Sequence, residues 1–171
     1  MRLLFSTLLL STSLFAIGES MTTMQADFTQ TITDDKNSTL TYKGNMLAKR
    51  PNMAKWHYVE PIEKSVYIVD KVVTVVEPEL EQAIIKKLDN SIDILAILSS
   101  ATKVSKEHYI AMYHEKEYEI YLSGKKIKSI HFSDTFDNQV SIIFTQEKIN
   151  QKIDDQRFKA EIPLDFDIIK D

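Results

Sequence analysis

Cysteine is absent from this sequence of 171 residues, and its absence excludes several kinds of protein. A chain without cysteine has no disulfide framework and no zinc site built from thiolates. It also cannot carry a lipid on a cysteine, as bacterial lipoproteins do. Glycine is nearly as scarce, with three residues. Neither a phosphate-binding loop nor the glycine-flanked serine of a hydrolase can therefore be placed in the chain.

The chain also lacks a strong charge of either sign. Its formal net charge is -4, and lysine and arginine form no long block. Binding to nucleic acid or to an anionic membrane surface needs a basic patch, so neither partner is expected. A hydrophobic content of 43% and a mean hydropathy of -0.21 fit a soluble globular protein, and the length suits one domain.

No motif for catalysis or metal binding stands out. The histidines are His57, His108, His114 and His131, and none has the i, i+4 spacing of a helical zinc site. The acidic residues near the C-terminus fall in turns, and a carboxylate pair suited to glycoside hydrolysis stays an open alternative. We therefore predict a protein that is not an enzyme and that uses no metal or cofactor.

The N-terminus resembles an export signal. Arg2 is followed by an apolar run from Leu3 to Leu10 and by small residues, with Ser13 and Ala16 in a stretch similar to an A-x-A cleavage site. A membrane anchor is the alternative, but a span needs about 20 apolar residues. We predict a cleavable signal peptide over 1–16 and a single domain over 17–171.

Most of the remaining chain alternates between apolar and polar residues with the period of β-strands. The spacing of the strands predicts one large antiparallel sheet, and Asp70-Lys71 predicts a two-residue hairpin turn. The predicted strands span 28–33, 39–49, 56–59, 66–69, 72–76, 82–87, 109–113, 118–122, 126–132 and 139–146.

Two short helices are predicted beside this sheet. The first begins at Glu19 or Ser20, with Met21 and Met24 on one face. The second runs from Ile92 to about Ser99, with Asn90 or Ser91 as the N-cap. This second helix is apolar nearly all round, so it is buried or covers an apolar surface.

The strands from Val66 to Val76 are apolar on both faces, so both faces need a cover. A curved sheet with helices on its concave side meets this need, and it either packs solidly or encloses an apolar cavity. The methionines Met24, Met46, Met53 and Met112 suit an adaptable lining. Trp56 and the strand tyrosines fit three interpretations: a core, a sugar-binding platform or the wall of a lipid-sized cavity.

Four segments together resemble the LolA family of periplasmic carriers for outer-membrane lipoproteins. The resemblance implies a mainly β fold with short helices (α+β), in which helices cover the concave face of an incomplete antiparallel β-barrel. It further implies a monomer in the periplasm of a Gram-negative bacterium. Such a carrier takes acylated lipoproteins from an inner-membrane ABC transporter to an outer-membrane acceptor. The segments are FTQTITDD (28–35), GNMLAKRPNMAKWHYVEP (44–61), VDKVVTVVEPELEQA (69–83) and RFKAEIPLDFDII (157–169).

The resemblance also assigns roles to residues. Arg50 matches an arginine that latches a lid over the empty cavity, and its expected acceptors are the backbone carbonyls of Leu95, Ala96, Ile97 and Leu98. Arginine suits this role because its planar fork donates several hydrogen bonds and stays charged. Pro51 is expected to end the preceding strand. The implied lining residues of the cavity and lid are Met24, Phe28, Tyr42, Met46, Trp56, Tyr58, Ile92 and Leu95.

The sequence departs from the family at two places. The hairpin Asp70-Lys71 is one residue shorter than the usual Asp-Gly turn, and Val76 replaces an aromatic residue. The outer-membrane acceptor of the same pathway is a rival interpretation, but it is itself a lipoprotein and needs a cysteine. A periplasmic protein that binds another lipid or hydrophobic ligand is the remaining alternative.

Overall fold

The computed structural model of the protein describes residues 20–89 and 93–170. The predicted signal peptide and three residues of the predicted second helix region, Asn90, Ser91 and Ile92, lie outside the described residues. The strands are β1 (Thr23–Thr33), β2 (Thr39–Lys49), β3 (Met53–Glu60), β4 (Lys64–Val69), β5 (Val72–Glu77), β6 (Gln82–Lys87), β7 (Thr102–Lys103), β8 (His108–Tyr113), β9 (Lys116–Ser123), β10 (Lys126–Ser133), β11 (Gln139–Ile149) and β12 (Asp167–Lys170).

All twelve strands belong to one sheet, in the order β12-β6-β5-β4-β3-β2-β1-β11-β10-β9-β8-β7. Every pair is antiparallel except β12 with β6, which is parallel. The sheet is open because β12 and β7 lie at its two edges. The expectation of a mainly β protein built on one large sheet is confirmed, and the sheet is antiparallel as predicted except for the pair β12–β6.

The sheet is strongly curved around the helix α1 (Ile94–Ser99), which contacts both β2 and β8. Five strand-to-strand steps separate β2 from β8, and in a flat sheet they span about 24 Å. A helix of about 10 Å diameter bridges that distance only if the sheet curls around it. The concave face of the sheet therefore wraps one side of α1.

Among the described residues α1 is the single α-helix, accompanied by two 3-10 turns, Pro78–Leu80 and Asp155–Phe158. Several covering helices were expected, but one helix of six residues is found. It begins at Ile94, and its N-cap is Asp93. The predicted N-caps Asn90 and Ser91 lie outside the described residues. The Asp93 carboxylate accepts hydrogen bonds from the backbone N–H groups of Leu95 and Ala96. No helix in the described ranges has the length and apolar character needed to cross a bilayer.

The first predicted helix is wrong, because β1 begins at Thr23. Met24, Ala26 and Phe28 are buried, whereas Gln25 and Asp27 between them are more exposed. This two-residue period belongs to a strand and outweighs the i, i+3 spacing of Met21 and Met24.

The main core lies between the concave face and α1. Buried side chains of β1, β2, β8, β9, β10 and β11 pack there against the apolar residues of the helix. Met24, Met46, Leu95 and Leu98 are fully buried at its centre.

The C-terminal segment covers part of the convex face. Ile153 and Phe158 pack against Leu47 of β2, and Ala160, Ile162 and Phe166 pack against a second cluster from β4, β5 and β6. This cover explains why the strands from Val66 to Val76 are apolar on both faces.

Gly44 lies where β2 and β3 approach closely, and a side chain does not fit there. A Cβ atom at this position would lie 2.1 Å from the carbonyl oxygen of His57 and 2.9 Å from Cε1 of Phe28.

We expect Gly44→Ala to destabilise the protein by about 3 kcal/mol, because the backbone of β3 must move. Urea denaturation followed by circular dichroism measures this loss. Gly124→Ala is the control for a general glycine effect. A Cβ atom there meets no neighbouring atom, so only the positive φ of Gly124 disfavours alanine. An equal loss in both variants would contradict the steric explanation.

Candidate functional site

An apolar cavity of about 320 Å³ lies between α1 and the concave face of the sheet. Ile94 and Ile97 of α1 form one side, and Trp56 of β3 and strands β8 to β11 form the other. The residues that line it are Ala54, Trp56, Ile94, Ile97, Tyr113, His114, Lys116, Tyr118, Ile130, Phe132 and Ile142.

Strand register explains why these side chains meet. Ile130 lies opposite Ile142 and Ile120 in neighbouring strands, and Phe132 lies opposite Val140. Residues paired across antiparallel strands point to the same face, and alternate residues along each strand do so too. The curvature of the sheet then turns β3 and β9 to β11 toward one another beneath α1.

The predicted lining residues occupy three kinds of position. Trp56 lines the cavity. Met24 and Phe28 of β1, Met46 of β2 and Leu95 of α1 are buried in the core between the helix and the sheet instead. Ile92 lies outside the described residues.

Tyr42 and Tyr58 form an aromatic row beside the cavity rather than its wall. The ring of Phe28 contacts Trp56 at 5.0 Å and Tyr58 at 5.1 Å, both edge to face. Tyr58 in turn contacts Tyr42 at 5.6 Å. This row connects the cavity wall to the outer part of β2.

The sequence interpretation missed the aromatic residues of the second half, Tyr113, Tyr118 and Phe132. A signal for them was present, since Tyr118, Ile120 and Leu122 alternate along β9, as Ile130 and Phe132 do along β10. The alternation marks one apolar face, but it does not indicate that this face meets Trp56.

Arg50 joins three separate parts of the chain at the start of the β2–β3 turn. Its Nε donates to the carbonyl oxygen of Met21 at 2.7 Å, and its Nη2 donates to the carbonyl oxygen of Leu95 at 2.9 Å. Nη2 also donates to the hydroxyl of Ser99. The guanidinium therefore ties α1 to the segment that precedes β1.

The other expected acceptors of Arg50 have backbone partners. The carbonyl of Ala96 accepts from Ser100, and that of Leu98 accepts from Ala101. The carbonyl of Ile97 accepts from the backbone and hydroxyl of Ser100. Pro51 lies in the turn between β2 and β3, where strand pairing has ended at Lys49.

Tyr58 has its pKa raised to about 12, chiefly by burial and to a smaller extent by the neighbouring Tyr42. Its hydroxyl donates to Oε1 of Gln30 at 3.0 Å. Folding therefore favours the neutral phenol. The resulting stability is complete below the ordinary pKa of 10.0 and is lost as the pH rises to about 12.

We expect the free energy of unfolding to fall by about 2–3 kcal/mol between pH 10 and pH 12 through this group. Denaturation across this pH range measures the loss. Tyr58→Phe removes the phenol and should flatten that part of the profile. An unchanged profile in the variant would assign the pH dependence to other groups.

The residues described contain no group of three or more histidine, aspartate or glutamate side chains placed to hold a metal ion. The lining of the cavity includes one imidazole, His114, and one cationic side chain, Lys116, among otherwise apolar and aromatic ones. A site of this kind favours an apolar ligand over a reacting polar one.

The curved open sheet and the apolar cavity under a single helix define the class: a binding protein that encloses an apolar ligand. The chain belongs to the LolA family, described as outer membrane lipoprotein carrier protein, whose model matches residues 19–161.

Curated relatives agree with this family. The outer-membrane lipoprotein carrier protein of Campylobacter jejuni is 38% identical over 157 residues, which cover 92% of each chain. The protein of the same name from Wolinella succinogenes is 35% identical over 156 residues, which cover 91% of each chain.

Solved structures match the fold at much lower identity. A LolA superfamily protein from Nitrosomonas europaea gives a TM-score of 0.52 at 9% identity, with 86% of this chain and 94% of that chain covered. An uncharacterized conserved protein from Thermus thermophilus gives 0.54 at 11% identity, with coverages of 89% and 92%. These two structures are similar to this chain in fold alone.

Proposed function

We propose that this protein is a carrier that holds the acyl chains of lipoproteins in the cavity beneath α1. The observation that carries the proposal is the apolar cavity of about 320 Å³ bounded by Trp56 and α1. The carrier names of the curated relatives support lipoproteins as the cargo, and carriers of this family are not enzymes.

Acyl chains need such a cavity because exposure to water is costly. Each methylene group that leaves water gains about 0.8 kcal/mol, so several long chains cannot cross an aqueous compartment unprotected. The volume of the cavity lies near the lower end of ligand pockets, which span about 300–1,000 Å³. We take this cavity as the closed form, and cargo enters as α1 moves away from the sheet.

Arg50 acts as the latch of this closed form in our proposal. Its bonds to Met21, Leu95 and Ser99 hold α1 and the N-terminal segment against the β2–β3 turn. Since these bonds break when α1 moves, they favour the empty state and oppose tight retention of cargo. The predicted lining residues in the core, Met24, Phe28, Met46 and Leu95, become cavity wall when α1 opens.

The cellular context is the finer part of the proposal. Residues 1–16 direct export, the domain 17–171 works in the periplasm as a monomer, and the helix on the concave face serves as the lid. Cargo arrives from an inner-membrane ABC transporter and leaves to an outer-membrane acceptor.

A synthetic triacylated lipopeptide tests the function directly. Purified protein and lipopeptide are mixed and separated by gel filtration, and we expect a soluble complex of one protein with one lipopeptide. A lipopeptide that stays aggregated, with no shift of the protein peak, would refute the carrier function. If a fatty acid or phospholipid binds while the lipopeptide does not, the protein binds another lipid.

A further inference from the structure

Strands β9 and β10 separate at one end. Their register runs from Lys126 opposite Ser123 to His131 opposite Glu119, and it stops there. Both strands continue beyond that point, each paired only with its outer neighbour: Tyr118 with Ala111 of β8, and Phe132 with Val140 of β11. The two strands are therefore not paired between 116–118 and 132–133, and this unpaired stretch forms the gap between β9 and β10.

An aromatic pair fills this gap from the concave side. The rings of Tyr118 and Phe132 lie 5.1 Å apart with their planes at 43°. Both side chains also line the apolar cavity. Here the two strands are held by side-chain contact instead of backbone hydrogen bonds. Rotation of two side chains costs less free energy than breaking paired backbone hydrogen bonds, so this stretch opens more easily than the rest of the sheet.

A polar groove of about 350 Å³ lies on the other side of the gap. It shares Lys116 and Phe132 with the apolar cavity, so the two spaces meet at these residues. The residues that line the groove are Glu115, Lys116, Glu117, Glu119, His131, Phe132, Ser133, Asp134 and Gln139.

The groove is acidic. Glu115, Glu117, Glu119 and Asp134 contribute carboxylates, against the cationic Lys116 and the imidazole of His131. Hydrogen bonds from the Asn138 side chain and from backbone N–H groups, together with nearby Lys116, hold the pKa of Asp134 below its ordinary value against a smaller effect of desolvation. Asp134 already accepts hydrogen bonds within its own turn, and Glu119 accepts one from the Tyr121 hydroxyl. Glu115 and Glu117 are therefore the carboxylates that would meet the N–H groups and basic side chains of a peptide.

We propose that the gap between β9 and β10 is a side port, through which the polypeptide attached to the acyl chains leaves the cavity and lies in the acidic groove. This inference rests on the carrier function proposed above. A peptide backbone cannot stay in an apolar cavity, since its unpaired N–H and C=O groups lose their hydration there. The groove is polar surface that borders the cavity wall directly, at Lys116 and Phe132.

The port has a particular occupant: an extended peptide segment that follows the lipid-bearing residue, with lysine or arginine among its first residues. The swing of Tyr118 and Phe132 away from each other opens the port. The acyl chains stay on the concave side and the peptide passes to the convex side.

The absence of cysteine from the chain allows a clean test. In Glu117→Cys/Ser133→Cys the thiols face each other across the gap, and oxidation or a short dithiol reagent bridges them. We expect the bridged protein to bind a free fatty acid as the reduced protein does, and to bind the triacylated lipopeptide about tenfold or more weakly. Reduction should restore lipopeptide binding.

The matched control is Ser123→Cys/Lys126→Cys, which bridges the same two strands at their paired end. Its bridge should change neither affinity. Equal lipopeptide affinity of the bridged and reduced gap variants would overturn the side port. Loss of fatty acid and lipopeptide binding in the reduced protein would instead overturn the carrier function.

The charge of the groove gives a second measurement. Lipopeptides with Ser-Lys-Lys-Lys and with Ser-Asn-Asn-Asn after the acylated residue are compared, and we expect tighter binding of the lysine form at low salt. Glu115→Gln/Glu117→Gln should reduce that preference, because two groove carboxylates lose their charge. An undiminished preference in the variant would assign it to another surface and contradict the groove.

Discussion

The Arg50→Leu variant is expected to bind an acyl ligand more tightly than the parent protein and to release it more slowly. The substitution removes the guanidinium of Arg50, which donates to the carbonyl of Met21 in the N-terminal segment and to the carbonyl of Leu95 in α1. Hydrogen bonds from a charged group contribute about 1.5–3 kcal/mol when buried, and since these bonds are only partly buried we expect the closed state to lose about 1.5–3 kcal/mol in total.

The consequence for binding follows from the two states. Cargo binds the open state, so part of its binding free energy is used to open the closed protein. When the closed state is destabilised, this cost falls and the apparent affinity rises about tenfold to a hundredfold. Transfer of a fluorescent lipopeptide to acceptor vesicles slows by a similar factor. Stopped-flow transfer and the thermal midpoint of the empty protein, which should fall, measure the two effects.

Two variants separate the latch from a charge effect. Arg157→Leu makes the same chemical change at an exposed position on the convex side and should leave transfer unchanged. Ser99→Ala removes one acceptor of Arg50 and should give a smaller effect in the same direction. Parental transfer rates in Arg50→Leu would refute the latch.

The period of apolar residues predicted most strands of the sheet, and the reason is visible in β4 and β5. Val69 and Val72 flank the two-residue turn at Asp70, which adopts a positive φ of 53° without being glycine. The alternation fixes which residues face the same side, and short turns leave neighbouring strands no choice of partner.

The apolar period did not predict the two strands at the edges of the sheet, β12 and β7. β12 pairs in parallel with β6, although about 80 residues separate them, and no local pattern specifies that choice. β7 is two residues long and too short to show a period. Their partners are set by where the C-terminal segment and the chain after α1 lie on the finished sheet.

The site was predictable in part for the same physical reason. Local composition predicts the apolar helix, the need to cover the apolar strand faces and the place of Trp56 beside them. The wall formed by Tyr118, Ile130 and Phe132 depends on how tightly the sheet curls, because curvature decides which strands face Trp56 across the cavity. The curvature results from the twist of many strands and the volumes of many side chains, so it cannot be predicted from a short stretch of sequence.

The second large effect is expected from filling the cavity. Ala54 is buried and lines the cavity next to Trp56. In Ala54→Phe the ring occupies space that an acyl chain would take, so we expect lipopeptide affinity to fall about tenfold to a hundredfold. The strain of the added ring is partly relieved by the cavity, and the loss of stability should stay within about 1–3 kcal/mol.

The single tryptophan of the chain makes this effect measurable, because Trp56 lies in the cavity wall. A brominated acyl ligand should quench its fluorescence in the parent protein and fail to do so in Ala54→Phe. Thr145→Phe adds the same ring at an exposed position of β11 and should retain the quenching. A folded Ala54→Phe protein that binds lipopeptide with parental affinity would mean that the acyl chains lie elsewhere on the concave face. Because free energy gained from acyl burial scales with the apolar surface that surrounds the chain, loss of this space and loss of affinity must go together if the cavity is the site.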